Sequence, residues 1–402
     1  MRGRTLRMSM AVLGAALATA LAVTVAGCTR TGTTSSATSG SGTGAVPIKV
    51  GAILSLTGTY AALGSSEKNA LELEVKRIND AGGVAGRKLE LIIEDDSTDE
   101  AKAVAAASKL INQDEVVALL GATGTGQSMA VRSEVDRAGI PQISMAGGTV
   151  VTATFDPLVF QTPWSNSLVV PFVLQKMKTD GKTKIAVLSD SGGYGKDGRA
   201  VIRANAPKLS IDIVSDQTFN SGDTDFSAQL TKIKSSGADA VLLWTAGKEG
   251  ASIVKSATDL GVKAPRYGGS GQAKVEFGQG AGAASDGFIF GTGRSLVPTN
   301  WGSDTEEYKV VSGFATRYKA AYGQDPDIFA GHAFDALNIL TTALKSAGSD
   351  ASPSALRDAI ESTSKLAGFG GIFTFSATDH NGLTAEDLAL YKVENGVWAP
   401  LQ

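Results

Sequence analysis

The sequence contains few residues that form covalent cross-links or bind metals: one cysteine and two histidines in 402 residues. Because Cys28 has no second cysteine as a partner, an intramolecular disulfide is excluded and the fold must rest on its hydrophobic core. His332 and His380 are too few for a His-based metal cluster. No G-x-S-x-G nucleophile elbow stands between a predicted strand and a predicted helix. Disulfide scaffolds, His-based metal sites and hydrolases of that elbow type are therefore not expected.

The sequence also lacks an excess of basic charge and, after its first 26 residues, a long apolar run. Lys and Arg total 37 against 40 Asp and Glu, for a formal net charge of −3. A mildly acidic chain has no electrostatic footprint for nucleic acid. No later run reaches the roughly 20 apolar residues that span a bilayer. Nucleic-acid binding and a transmembrane helix in the body of the chain are therefore not expected.

The chain start has the pattern of an export signal. Three arginines and no acid precede an uncharged, mostly apolar run at 11–26, which is short for a transmembrane helix. Ala26 and Gly27 then stand directly before Cys28, a pattern that resembles the lipobox of bacterial lipoproteins. The resemblance implies that residues 1–27 are removed and that Cys28 is acylated, which would leave no thiol for nucleophilic catalysis. The alternative is a plain secretory signal with an incidental cysteine.

A tract of Thr, Ser and Gly follows this cysteine. Residues 29–45 contain one arginine and few apolar side chains, so their packing cannot offset the entropy lost on ordering them. A flexible chain of 17 residues has a typical reach of roughly 23 Å. We therefore expect residues 28–45 to form a flexible, lipid-anchored linker.

The remaining residues, 46–402, exceed what one hydrophobic core usually organises, so two domains are expected. Short apolar runs alternate with helical periodicity, which is typical of an α/β fold with parallel sheets covered by helices. In the first half we predict strands at 48–56, 88–94, 116–120 and 141–145 and helices at 65–80, 99–113 and 126–138. In the second half we predict strands at 184–189, 211–219, 239–245, 266–268 and 288–291 and helices at 165–177, 195–204, 226–235 and 250–260. Helices at 306–322, 329–345 and 353–361 and β-structure at 371–375 and 388–393 complete the prediction.

The two halves begin alike. The strand "IKVGAILS" leads into "LTGTYAALG" and a helix, and the strand "KIAVLSD" leads into "SGGYGKDG" and a helix. Both connections are rich in glycine and contain one tyrosine, Tyr60 or Tyr194. In open α/β sheets ligands bind beyond the carboxyl ends of the strands, where these loops lie. Two such domains facing each other would place both loops in one cleft.

Four segments occur in a characteristic order: "IKVGAILSLTGTYAALG", "INDAGGVAGRKLELIIEDD", "GIPQISMAGG" and "DSGGYGKDG". Together they resemble the type I periplasmic binding proteins of ABC importers, of the branched-chain amino-acid (leucine-binding) type. The resemblance implies two Rossmann-like lobes with parallel sheets, joined by a three-crossover hinge near Thr162, near Gly291 and within 370–388. It implies an N-lobe of residues 46–162 plus 292–375 and a C-lobe of residues 163–291 plus 376–402. It also implies a monomer with no catalysis and no cofactor, whose closed, solute-loaded state is recognised by an ABC permease.

The resemblance assigns ligand contacts to two loops of the N-lobe. In "GATGTGQ", Thr123 and Gly124 match positions that hold a carboxylate through a hydroxyl and the main chain at a helix N-terminus. The loop "SMAGGT" matches one whose main-chain carbonyl accepts a hydrogen bond from an ammonium, with a hydroxyl close by; its candidates are Ala146, Gly147, Gly148 and Thr149. Ordinary turn chemistry of an α/β domain is the alternative explanation for both loops.

Four further candidates complete the expected site. Tyr194 matches a C-lobe tyrosine that contacts the ligand after closure, and its large ring with a polar tip suits that role. Tyr60 is a second candidate, with capping of the first helix as the alternative. Ala246 and Ser270 match contact positions that usually hold an aromatic and an acid. Without that acid an ammonium is less well compensated, so amino acids, aromatic carboxylates, amides and urea are all candidate solutes.

Two other patterns carry less weight. The glycines of "GATGTG" do not have the G-x-G-x-x-G spacing of a dinucleotide site. The acidic run at 94–100 lacks the alternation of a calcium loop, and turn chemistry together with the helix dipole explains it.

Three functions remain to compare: a lipid-anchored solute receptor that feeds an ABC permease, an exported enzyme on a Rossmann-like scaffold, and a ligand-sensor module. Export argues against an enzyme that needs a nucleotide, and the lack of an output domain argues against an autonomous sensor.

Overall fold

The computed structural model describes residues 45–401. The expected export signal, the acylation of Cys28 and all of the expected linker except Ala45 lie outside these residues. Among the described residues, no helix combines the length and the apolar character that crossing a membrane requires.

Strands and helices alternate along most of the described chain. The strands are β1 (Ile48–Leu54), β2 (Leu89–Asp95), β3 (Leu119–Gly121), β4 (Gln142–Ser144), β5 (Val159–Gln161), β6 (Lys184–Asp190), β7 (Asp212–Phe219), β8 (Ala240–Trp244), β9 (Arg266–Gly268), β10 (Ile289–Gly293), β11 (Leu366–Ala367), β12 (Ile372–Phe373), β13 (Leu388–Glu394) and β14 (Val397–Pro400). The helices are α1 (Ala61–Asp80), α2 (Glu100–Asn112), α3 (Thr125–Ala130), α4 (Arg132–Ala138), α5 (Val150–Ala153), α6 (Asn166–Thr179), α7 (Gly193–Asn205), α8 (Ser227–Ser235), α9 (Glu249–Asp259), α10 (Val275–Ala281), α11 (Glu306–Tyr322), α12 (Ile328–Ala347) and α13 (Pro353–Glu361).

The first sheet has the strand order β2-β1-β3-β4-β5, and every neighbouring pair is parallel. Alternate residues of β1 pack on opposite faces, as the period of two in a strand requires. Ala52 and Leu54 belong to the core that contains Leu71 of α1, whereas Ile53 belongs to a separate core with Leu110 of α2. Both faces are thus covered by helices, which explains why β1 is buried along almost its whole length.

The second sheet has the order β14-β13-β10-β9-β8-β6-β7. Its strands from β7 to β10 are parallel, and β13 and β14 add an antiparallel edge. The edge hairpin turns at Asn395 and Gly396, with φ angles of 53° and 77°. Two consecutive positive φ angles are the signature of a two-residue hairpin turn, and Asn-Gly is the sequence that tolerates them best.

The chain passes between the two sheets three times. It leaves the first sheet between β5 and α6, which packs against β9 and β10 of the second. It returns after β10, which ends at Gly293, two residues beyond the expected crossing, and α12 then packs against α1, β3 and β4. The third crossing lies between β12 and β13. The predicted α/β fold of two lobes with parallel sheets joined by three crossings is confirmed; below, the N-lobe is the half built on the first sheet and the C-lobe the half built on the second.

Two predicted elements differ from the structure. The single helix expected at 126–138 is two helices, α3 and α4, because Val131 takes a turn conformation with a ψ angle of −8°. The β-structure expected at 371–375 is limited to β12, which pairs with β11 as a short antiparallel ribbon outside both main sheets.

Candidate functional site

The loops that follow the strands of both sheets meet around one small cavity. Its volume is about 30 Å³, whereas an apolar cavity of roughly 150 Å³ admits a benzene molecule. A solute of amino-acid size therefore needs the lobes or some side chains to move before it can enter. The lining residues are Tyr60, Leu63, Thr123, Gly124, Thr125, Met145, Gly147, Pro163, Trp164, Tyr194, Ala246, Ser270, Gly271, Ile328, Phe329 and His332.

Seven of the ten residues predicted to contact a ligand line this cavity. They come from the segments that directly follow β1, β3, β4, β6, β8 and β9: Tyr60, Thr123, Gly124, Gly147, Tyr194, Ala246 and Ser270. Since the carboxyl ends of parallel strands lie at one edge of a sheet, the two sheets present these loops to each other.

The other three predicted contacts belong to the loop after β4 but do not line the cavity. The carbonyl oxygens of Ala146 and Gly148 both accept hydrogen bonds from the Nε2 of Gln161, at 2.6 and 3.0 Å. The amide of Thr149 donates to Asp197 in α7, at 2.7 Å. Thr149 faces a separate polar groove near His380. The hydrogen bonds of these three residues therefore order the loop and join it to the C-lobe. Among the four candidates predicted in this loop, only Gly147 faces the cavity.

Thr123 is the most heavily hydrogen-bonded polar residue of the cavity wall. Its Oγ1 accepts a hydrogen bond from the amide of Ser55, at 3.0 Å, and lies 2.5 Å from Oε2 of Glu67. Ser55 in turn donates through its hydroxyl to Asp96, at 2.6 Å. The acidic run that follows β2 thus orders the loop after β1, as turn chemistry predicts, and Asp99 of the same run caps α2.

Two tyrosines enclose the cavity from opposite lobes. Tyr194 is 8% exposed and stacks on Trp244, with ring centroids 6.1 Å apart, and Tyr60 is 6% exposed. Burial raises the pKa of both hydroxyls, and the nearby carboxylate of Asp190 raises them further. Both side chains are therefore neutral phenols that can donate and accept hydrogen bonds over apolar rings.

The remaining wall was not predicted from the sequence and is mostly apolar. Trp164 follows β5 and is anchored by a hydrogen bond from its Nε1 to the carbonyl of Gly370, at 2.8 Å. Phe329 and His332 lie at the start of α12. This helix is far along the chain from the N-lobe loops that it meets at the cavity. The only available signal for them was the cap at the start of that helix, and a helix start does not by itself indicate a cavity. Trp164 is fully buried, and its ring also lines the cavity.

Three fully buried lining polar atoms have no hydrogen-bond partner within the described residues: Oγ1 of Thr125, Oγ of Ser270 and Nδ1 of His332. Buried polar atoms are normally paired, so these atoms are available to a ligand or to water. Burial lowers the pKa of His332 to about 3. The imidazole is therefore neutral at physiological pH and offers a hydrogen bond rather than a charge.

The described lining residues carry no formal charge when His332 is neutral. Two acids lie behind the C-lobe side of the wall: Asp190, whose carboxylate accepts from the amide of Gly192 at 2.8 Å, and Glu249, which accepts from the amide of Gly222 at 2.6 Å. Lys274 is also buried, and its ammonium donates to the carbonyls of Ala246 and Gly247. These groups shape the loops of the C-lobe and do not face the cavity.

The two lobes are in direct contact around the cavity. The amide of Lys248 donates to the carbonyl of Thr59, at 3.3 Å, and Asp197 accepts from the amides of Thr149 and Val150. A Cβ atom at Gly193 would lie 2.5 Å from the backbone nitrogen of Gly126 in the opposite lobe. The structure is therefore a closed arrangement, and glycine permits the close approach of the two backbones.

Comparison with known proteins identifies the family of this chain and several similar proteins. Residues 47–397 match the model of the family described as Periplasmic binding protein. The chain belongs to this family. It is similar to the Leu/Ile/Val-binding protein homolog 3 of Brucella melitensis biotype 1, with 28% identity over 354 residues that cover 87% of this chain and 92% of that protein.

Two solved structures extend the comparison. One is the branched-chain amino acid transporter substrate binding protein LivJ of Streptococcus pneumoniae in complex with isoleucine, with a TM-score of 0.78, 26% identity and coverage of 88% of this chain and 99% of that one. The other is the solute binding protein of an ABC transporter from R. palustris in complex with benzoate, with a TM-score of 0.79, 26% identity and coverage of 88% and 95%. This periplasmic binding protein is accordingly a solute-binding protein that acts outside the cytoplasm, not an enzyme.

Proposed function

We propose that this protein is the substrate-binding lipoprotein of an ABC importer, which traps a small solute by lobe closure and delivers it to the membrane permease. The observation that carries the proposal is the closed cavity between the carboxyl ends of the two sheets, with wall residues from both lobes. A solute held by both lobes stabilises the closed state, and a permease that recognises only that state receives loaded protein. In this proposal the lobes are residues 46–162 plus 292–375 and residues 163–291 plus 376–402.

The anchor is the second part of the proposal. Cys28 follows a segment with the pattern of an export signal and precedes a tract poor in apolar residues, so acylation at Cys28 would attach a monomeric receptor to the membrane near its permease. Intact-mass measurement of the mature protein tests this directly. A chain that begins at Cys28 with added diacylglycerol mass is expected, and an unmodified chain cut elsewhere would leave a freely secreted receptor.

For the solute, we propose a small carboxylate, with a branched-chain or related amino acid as the first candidate. Thr123 and the start of α3 present polar groups to the cavity, and residues near the N-terminal ends of α7 and α12 line it as well. Helix N-termini favour negative charge. Relatives named for leucine, isoleucine and valine support an amino acid, whereas a wall without a carboxylate supports aromatic acids, amides or urea as the alternative.

A thermal-shift screen of residues 29–402 separates these possibilities. Leucine, isoleucine, valine, benzoate, acetamide and urea are added one at a time, and a solute at 100 times its dissociation constant should stabilise the protein by about 2.7 kcal/mol. A shift with the aliphatic amino acids supports the first candidate, and a shift only with benzoate, acetamide or urea supports the alternative. If none of them shifts the transition, the proposed class of solute is wrong and a ligand-sensor role gains weight.

Tyr194 provides the matched test of the cavity itself. Tyr194→Ala removes a ring that faces the cavity and should weaken binding of the stabilising solute by about tenfold or more, because ring contacts and their buried area are lost together. Tyr308→Ala in α11, which removes a tyrosine that does not line the cavity, is the control and should leave the affinity unchanged. Equal affinities of the two variants would mean that the solute binds elsewhere.

A further inference from the structure

Glu67 of α1 does not line the cavity but contacts a residue that does. Its side chain has no exposed surface, and its Oε2 lies 2.5 Å from Oγ1 of Thr123. Its other oxygen, Oε1, has no hydrogen-bond partner within the described residues. The position of the proton in this short contact determines what Thr123 offers to a ligand.

A threonine hydroxyl has one proton to donate and two lone pairs that accept. The amide of Ser55 already donates to one lone pair of Thr123, at 3.0 Å. If Glu67 is ionised, it takes the hydroxyl proton, and the cavity faces the second lone pair. If Glu67 is protonated, it donates to that lone pair, and the hydroxyl proton is free to point into the cavity. One proton on Glu67 therefore changes Thr123 from an acceptor to a donor toward the ligand.

The surroundings of Glu67 favour the protonated form. An ionised carboxylate would leave one charged oxygen buried without a partner, which costs more than a neutral carbonyl oxygen in the same place. Two acids lie near it, Asp96 after β2 and Asp327 before α12. No basic group is among the described residues that act most strongly on this carboxyl. Burial raises the pKa of Glu67 well above its usual range; the hydrogen bond with Thr123 lowers it by less, and the two acids raise it further.

We propose that Glu67 carries a proton that it donates to Thr123 Oγ1, so that Thr123 presents a hydrogen-bond donor to the carboxylate of the solute. Glu67 is thus a positioning residue that determines specificity, because a donor at Thr123 favours an acceptor group and disfavours an ammonium. The identity of the bound group rests on the proposed function. The protonation of Glu67 does not, and it is tested separately.

Infrared difference spectroscopy of the ligand-free protein tests the protonation. At pH 7 the spectrum of the wild type minus that of Glu67→Gln should contain the C=O stretch of a protonated carboxyl, and this band should disappear as the pH is raised. An ionised carboxylate signal at pH 7 would overturn the inference, whichever solute the protein binds.

Calorimetric titration with isoleucine and with benzoate, both of which carry a carboxylate, tests the donor. In the wild type the affinity should fall by up to about tenfold for each pH unit above the pKa of Glu67, because the ionised form must take up a proton to bind. Glu67→Gln can donate at every pH, so its affinity should be close to that of the wild type at pH 7 and should not follow this decline. Asp190 and Lys274, which also titrate near the cavity with pKa values of about 6 and about 8, are present in both proteins.

Thr123→Val removes the donor and should weaken binding of the same solute by about tenfold to a hundredfold. The same pH dependence in wild type and Glu67→Gln would overturn the assignment of the donor. Failure of isoleucine and benzoate to bind the wild type would instead reject the proposed class of solute, and the infrared result would still decide the state of Glu67.

Discussion

Gly193 permits a close backbone contact between the lobes, so an added methyl group at this position should hinder closure selectively. The Cβ atom of alanine would lie 2.5 Å from the nitrogen and 2.8 Å from the Cα of Gly126. Ordinary contacts begin at 3.4 Å, so the two backbones must separate by about 0.9 Å. Both contact atoms belong to the backbone, and no side-chain rotation can relieve the overlap.

The expected cost follows from this geometry. Overpacking of this kind costs about 1–3 kcal/mol, and in Gly193→Ala it falls on the closed state alone, which corresponds to an affinity about 5–150-fold lower. The fold itself should not suffer, because Gly193 is the first residue of α7 with a negative φ, and alanine is favoured over glycine in a helix by about 0.5–1 kcal/mol.

Calorimetric titration with the solute selected by the thermal-shift screen measures the affinity, and small-angle scattering with and without that solute measures closure. Gly313→Ala in α11 is the control, because its Cβ would meet only the flexible side chain of Arg317, at 3.4 Å. The control should be as stable as Gly193→Ala and bind as the wild type does. Wild-type affinity in a well-folded Gly193→Ala protein would refute the conclusion that the bound lobes close with these two glycines in contact.

Two further predictions concern buried carboxyl groups. Asp197→Ala removes the acceptor for the amides of Thr149 and Val150 across the cleft, so the solute should dissociate about tenfold faster in stopped-flow measurements. The exposed Asp259 provides the control variant, and an unchanged rate in Asp197→Ala would mean that this contact does not hold the closed state. Asp335 is buried, accepts from the amides of Phe369 and Gly370, and has its pKa raised to about 8 by burial. Because the folded pKa lies above the unfolded value of about 3.9, its contribution to the free energy of unfolding should be complete below pH 4 and be lost as the pH rises through 8. Urea denaturation across this range should show a smaller decline for Asp335→Asn than for the wild type, and equal declines would contradict the assignment.

Much of the fold could be predicted because it depends on local periodicity. A strand such as β1 is apolar throughout, since both faces of a parallel sheet are covered, and the helices that follow repeat their apolar residues every three or four positions. The expected elements therefore agree with the structure to within a few residues in most cases. The interruption at Val131 was not predictable, because no proline or glycine marks it in the sequence.

The positions of Thr123, Gly124 and Tyr194 at the cavity were also accessible from the sequence. Each follows a predicted strand directly, and the carboxyl ends of parallel strands share one edge of a sheet. The sequence did not reveal that the carbonyls of Ala146 and Gly148 are bonded to Gln161, since a loop's glycines indicate a turn but not which side chain will occupy its carbonyls.

The sequence by itself thus determined the elements, the class of fold and the loops at the strand ends, because these follow from short-range patterns. Only the tertiary structure decided the chemistry of the cavity. The return of α12 brings His332 beside Trp164, from which it is separated by more than 160 positions in the chain, with ring centroids 5.2 Å apart. The packing of α1 beneath the loop after β3 joins Glu67 to Thr123, so a proton on a residue outside the cavity sets the donor inside it. Contacts between residues far apart in the chain leave no periodic signal, and they exist only once the core has packed.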